Sequence, residues 1–203
     1  MEVRERILKA AEELFLKFGI RSVTMDEIAS ELGISKKTIY MHFADKDSIV
    51  EEVAVVRMTC EQEMSEVIHK ESENPIHEVV REIEMLKANI ANFNPVIIYD
   101  LKKYYPKVWA LFQEHKKTIY LDIIKENLKE GIKQGLYRPE VNVEILARLR
   151  MEEIDFAFEQ SVFPKDKFNQ YDIHKTFIDH FLRGIITLKG LEVYEKYIST
   201  TQL

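Results

Sequence analysis

Twenty-three residues, Thr24 to Lys46 (TMDEIASELGISKKTIYMHFADK), constrain what this chain can fold into more than the other 180. Thr24 is a favourable helix N-cap and Glu27 follows three residues later, so each side chain can satisfy one orphan backbone N–H. Ile28, Ala29 and Leu32 mark one face of a short helix. Gly33 stands where that helix must stop, because glycine adopts a positive φ without a Cβ penalty. Ile34 is apolar and fills the gap to the next helix, which Ser35 caps. Ile39 and Phe43 are four residues apart and face inward together. Lys36, Lys37, Thr38, Tyr40, Met41 and His42 are left pointing largely outward. Two short helices joined this way read as a helix-turn-helix, whose second helix enters the major groove of DNA with its N-terminal residues at base edges.

The preceding residues complete a small core. Ile7, Leu8, Ala11, Leu14, Phe15 and Phe18 recur at helical spacing and Gly19 closes the run. A three-helix unit over about residues 3–43 follows, too small to be stable without help from the next helix. With Phe15, Gly19, Thr24, Ile28, Ala29, Gly33, Ser35, Tyr40, Phe43 and Lys46 at these spacings, the segment resembles the N-terminal domain of the TetR-type family of bacterial transcriptional repressors. The chain length is also typical of that family. Many members carry glycine at the position of Lys37, where the DNA backbone then approaches closely. A lysine there predicts a phosphate or guanine contact instead. The resemblance implies phosphate roles for Thr24, Tyr40, His42 and Lys46. Residue chemistry adds Ser35, Lys36, Lys37, Thr38 and Met41 to the candidate DNA-binding set, with Thr38 and Met41 suited to base edges or thymine methyls.

A net charge of −6 argues against nucleic-acid binding until it is divided by region. Residues 1–46 hold eight basic and eight acidic side chains, so residues 47–203 carry the whole excess. A local basic patch is what phosphate contact requires, and Lys36, Lys37 and Lys46 supply one. No apolar run reaches the roughly 18 residues of a membrane span, and no secretory leader is evident. A single cysteine, Cys60, excludes an intrachain disulfide and suits a cytoplasmic location. Metal-site, P-loop, dinucleotide-binding and nucleophile-elbow patterns are all missing, so neither a metal nor a cofactor nor an enzymatic activity is expected.

The remainder reads as helical. Asp45 caps a long helix to about Lys70, with Ile49, Val53, Val56, Cys60, Met64 and Val67 as one apolar stripe, a rod of about 40 Å. Asn74-Pro75 and Asn94-Pro95 start further helices, and Pro106 starts or kinks another. Lys107 to Gly135 is strongly helical, with Val108, Leu111, Phe112, Ile119, Ile123, Ile124 and Leu128 as its inner face. Asn142 caps a helix to about Gln160. Asp172 caps the last major helix, to about Lys189, with Gly190 as a break before a short tail helix. The last two long helices are more apolar than a single buried face requires. Met151, Ile154, Phe158, Phe177, Phe181, Ile185 and Leu188 are candidates for a two-fold dimer interface, and the resemblance implies a four-helix bundle formed by such a pair. Met58, Cys60, Met64, Met85, Tyr99, Tyr104, Tyr105, Trp109, Phe112, Tyr120 and Phe156 are candidates for lining an effector pocket, since methionine and aromatic side chains suit apolar or aromatic ligands.

The sequence therefore predicts an all-α protein: a helix-turn-helix domain over 1–46, and a larger helical effector-binding and dimerisation domain over 47–203. The expected function is sequence-specific DNA binding by a homodimeric regulator, most simply a repressor released from a palindromic operator by a small molecule. Two other classes stay open: a DNA-bound structural protein without an effector, and a small-molecule enzyme with an incidental helix-turn-helix.

Overall fold

The computed structural model describes residues 2–90 and 94–201. Their regular structure is helical, apart from one isolated antiparallel bridge between Tyr137 and Ile186. The chain forms two compact units, residues 1–61 with 92–115, and residues 62–91 with 116–203.

The first unit contains α1 (Val3–Phe18), α2 (Met25–Leu32), α3 (Lys36–Tyr40), the start of α4 (Lys46–Glu71), α6 (Val96–Tyr104) and α7 (Pro106–His115). Ile7, Ala11, Phe15, Ile28, Ile39, Phe43 and Ile49 form its core, and Ile97 and Val108 complete it from α6 and α7. The unit is thus larger than residues 1–46. A buried carboxylate fastens the addition, because Asp100 on α6 accepts the Arg21 backbone N–H at 2.8 Å. Gly19 ends α1 with φ of 83°, and a Cβ there would come within 3.3 Å of the same carboxylate. Phe18, expected in the core, is half exposed and borders a surface groove with Leu14 and Val23.

The second unit contains the rest of α4, α5 (Pro75–Ile90), a π turn (Lys116–Tyr120) continuing into α8 (Leu121–Lys133), α9 (Val143–Phe156), α10 (Gln170–Ile185) and α11 (Leu188–Thr201). Asn74 caps α5, its side chain accepting the Ile76 and His77 N–H groups. Ile76, Val80, Ile83, Leu128, Ala147, Ile178, Leu182 and Tyr194 form the core. Through it runs a polar column. The Tyr137 hydroxyl donates to Asn127 Oδ1 at 3.0 Å, Asn127 Nδ2 donates to Glu78 Oε2 at 3.1 Å, and the other Glu78 oxygen lies 3.2 Å from His69 Nδ1.

Several expectations are corrected. The α4 stripe holds at Ile49 and Val53 only; Val56, Cys60, Met64 and Val67 are exposed, while Met58, Ser65 and Ile68 are buried instead. Within Pro106–Lys133 the π turn inserts an extra residue, which moves the helical register; Leu111 lies outside while Lys116 is buried and paired with Asp155 at 2.7 Å. Asn169, not Asp172, caps α10. Gly190 does not break a helix. It lies in the first turn of α11, where a Cβ would stand 2.2 Å from the Leu136 carbonyl oxygen. The break falls at Ile186, which bridges to Tyr137.

Gly131 has the same logic inside α8, since an added Cβ would meet the Tyr137 ring at 2.0 Å. Gly131→Ala gains roughly 1 kcal/mol of helix propensity but must displace a buried ring. We expect a net loss of about 1–3 kcal/mol, read as a lower midpoint in chemical denaturation.

Candidate functional site

The reading surface of the first unit is built by its caps. The Thr24 hydroxyl accepts the Glu27 N–H at 3.2 Å and donates to the Glu27 carboxylate at 2.9 Å, while that carboxylate takes the Thr24 N–H at 2.6 Å. Gly33 adopts the left-handed conformation that turns the chain. Ser35 Oγ accepts the Thr38 N–H at 3.1 Å and lies 2.9 Å from the Thr38 hydroxyl. Thr24, Ser35 and Thr38 thus form the turns with their own side chains. Ile39 and Phe43 anchor the segment in the core, leaving Lys37, Tyr40, Met41 and His42 exposed.

The three candidate lysines differ. Lys36 is tied to Asp26 on α2 at 2.8 Å, and that hydrogen bond holds its ammonium above the ordinary lysine value. Lys46 is half-buried, donates to the Arg21 carbonyl at 3.3 Å, and is lowered by that burial. Lys37 is exposed and makes no hydrogen bond or ion pair among the described residues. Asp45 accepts the Ser48 N–H at 2.8 Å and so caps α4 beside this surface.

The residues expected to line an effector pocket are divided between the two units. Tyr99, Tyr104, Tyr105, Trp109 and Phe112 belong to the first unit, and Met85, Tyr120 and Phe156 to the second. Cys60, Met64, Tyr99, Tyr104 and Phe156 are exposed, whereas Met58 is buried. Of the interface candidates, Met151 and Ile185 are buried in the core of their own chain and cannot face a partner. Ile154, Phe158, Phe177 and Phe181 are half-buried, and Leu188 is exposed.

The second unit holds an unanticipated polar group of side chains. Glu82 on α5 lies deep in the helices yet keeps some accessible surface, and its carboxyl makes no hydrogen bond or ion pair among the described residues. Its burial, and then the nearby Glu78 carboxylate, push its carboxyl up to about 7, against the opposing pull of Arg150. Arg150 on α9 is largely buried, with one hydrogen bond, to Glu153 at 3.3 Å. Across from it on α10, His174 is pushed down to about 4 by burial and by Arg150, so it is neutral. Its Nε2 has no partner, and neither does either end of the Gln170 side-chain amide, one turn away. The sequence carried one sign of this, for Glu82 occupies the helical stripe of Val79 and Leu86.

A capped helix-turn-helix with an exposed, cationic second helix is a DNA-reading domain. Residues 7–53 match the family described as bacterial regulatory proteins, tetR family. The N-terminal segment is thus similar to the DNA-binding domain of that family. It is similar to the uncharacterized HTH-type transcriptional regulator YerO of Bacillus subtilis, 31% identical over 72% of this chain and 45% of YerO, so it spans less than half of that relative. It is 26% identical to YvaF of the same organism, over 89% of this chain and 94% of YvaF. A transcriptional regulator from Saccharomonospora viridis, solved in complex with choline, shares the fold with a TM-score of 0.74 at 23% identity, over 91% of this chain and 97% of that one.

The raised Glu82 value has a sign. A carboxyl that holds its proton more tightly folded than unfolded stabilises fully below the ordinary carboxyl value near 4.5, and that stability is lost as pH rises through about 7. Glu82→Gln removes the loss. We expect its thermal midpoint to match wild type near pH 4 and exceed it at pH 8 by at least roughly 5 °C, measured by circular dichroism.

Proposed function

We propose that the protein is a homodimeric transcriptional repressor that binds a palindromic DNA site and is released by a small effector bound in its second unit. The observation that carries the reading is the exposure of Lys37 and Tyr40 on α3, and of Met41 and His42 in the turn after it, over Ile39 and Phe43 buried beneath. One five-residue helix reads few bases, so two copies on a two-fold axis supply the missing specificity. Selection of duplexes from a randomised pool tests this directly: wild type enriches a palindrome. Lys37→Ala loses about 1 kcal/mol or more of affinity, and Lys36→Ala loses less, because Lys36 is already engaged by Asp26. Unchanged binding in both would remove α3 as the reader.

An apolar stripe supports dimerisation. Ile145, Leu149 and Phe156 lie on one side of α9 and are 61%, 49% and 47% exposed. Phe156 stacks on Phe177 of α10, at 6.1 Å between ring centroids. From Phe177 the same spacing continues along α10 through Phe181 and Gly184, and a Cβ on Gly184 would meet nothing within 4 Å; beyond the break, Leu188 opens α11 exposed. A partly exposed apolar face of this kind is suited to a helix pair from a second copy. Leu149→Glu leaves the chain folded, since the residue is half exposed, and converts dimers to monomers in sedimentation velocity. A dimer that persists would place the interface elsewhere.

Effector control follows as a population shift between two conformers. α4 is one continuous helix, from Lys46 beside the reading surface to His69 at its far end, and His69 meets Glu78 of the polar column. A ligand that moves α5 therefore biases α4. A coupling of about 1–3 kcal/mol suffices for control.

A further inference from the structure

We propose that the group of side chains between α5, α9 and α10 is a recess that binds a small polar molecule carrying a protonated amine, with Glu82 as its counter-ion. The proposal rests on the reading of the second unit as effector-binding and specifies that ligand's chemistry.

Three observations converge. The first is the unmet carboxylate. Buried carboxylates are ordinarily hydrogen-bonded or paired. Glu82 is neither, although Arg150 is close enough for each to act on the other electrostatically. The two stand apart with no ion pair closing the space, and both keep a little accessible surface. The second is charge balance. Glu82 and Glu153 act on the Arg150 guanidinium, Glu78 lies beside Glu82, and His174 is neutral. Glu153 pairs with Arg150, and Glu78 is hydrogen-bonded by Asn127 and meets His69, so of the three carboxylates Glu82 is the one without a partner among the described residues. An anion would meet this excess, whereas an ammonium group neutralises it. The third is Gln170, more than nine-tenths buried, with neither its amide oxygen nor its nitrogen partnered, one turn from the unpartnered His174 Nε2. A second polar group on the ligand would satisfy them.

The probes are three matched series of two to eight carbons: primary alkylammonium chlorides, sodium alkylcarboxylates and neutral alcohols, with sodium chloride as the ionic control. Thermal unfolding of the full-length protein is followed without DNA. Ammonium members are expected to raise the midpoint of wild type by at least 2 °C, in proportion to the logarithm of concentration. Glu82→Gln, confirmed folded by circular dichroism, abolishes the rise. Ammonium binding is stronger at pH 8 than at pH 6, because Glu82 loses its proton across that interval, beside the Glu78 and Glu153 carboxylates and the Arg150 guanidinium and with His174 neutral. Preference for the carboxylates, an ammonium response retained by Glu82→Gln, or no response to any series would overturn the inference; in the last case the gap holds only water. Binding to a selected duplex separates the two readings. Amines that stabilise the protein yet leave its DNA affinity unchanged uphold the recess and refute effector release. Intact DNA binding with no amine response refutes the recess alone.

Discussion

The second unit depends on a hydrogen-bonded column that begins at Tyr137 and ends at His69. Tyr137, fully buried, occupies space that only a glycine at position 131 leaves open. Its hydroxyl fixes Asn127, whose amide also donates to the Pro75 carbonyl at 2.9 Å. Asn127 in turn fixes Glu78, and Glu78 meets α4. Four elements are held by groups that cannot lose a partner cheaply, since a buried polar atom left unsatisfied costs about 1–3 kcal/mol. Apolar packing around the column sets how tightly the helices associate. The column sets which residues face one another, and it places Glu82 one turn beyond a carboxylate already satisfied.

That arrangement gives the two neighbouring glutamates of α5 different chemistry. Glu78 has donors from two sides and is a structural acceptor. Glu82 has an opposing guanidinium but no donor, so the folded chain carries an ionisation cost there near neutral pH. Evolution tolerates such costs mainly where a ligand removes them, which is why unsatisfied buried groups are informative about sites.

Much of the first unit was legible in the sequence because local rules specify it. Thr24 with Glu27, Gly33, and Ser35 act within three or four residues of themselves, and the structure forms each cap as read. The errors arise where a distant residue decides. Val56, Cys60 and Met64 fit a helical stripe, but α4 contributes to both units and buries Met58 and Ser65 instead. Gly190 looked like a helix terminator because the approach of the Leu136 carbonyl is invisible in sequence. Polar members of the recess were harder still. Glu82, Arg150 and Gln170 are residue types that usually face water, and only the position of Glu82 among Val79 and Leu86 pointed inward.

The ion pair between Lys36 and Asp26 bears on how the reader responds to its surroundings. A lysine approaching DNA ordinarily drives condensed cations off the phosphates, and dilution of those cations supplies much of the favourable free energy. Asp26 is a counter-ion that cannot diffuse away, because it belongs to the same chain. For Lys36 to reach a phosphate it must leave a carboxylate, and that carboxylate is then set near the polyanion. The exchange contributes little net attraction and opposes non-specific adhesion. On the proposed reading, a helix balanced in this way favours sites where base contacts add to phosphate contacts, and Asp26 would act as an internal brake on binding to DNA at large.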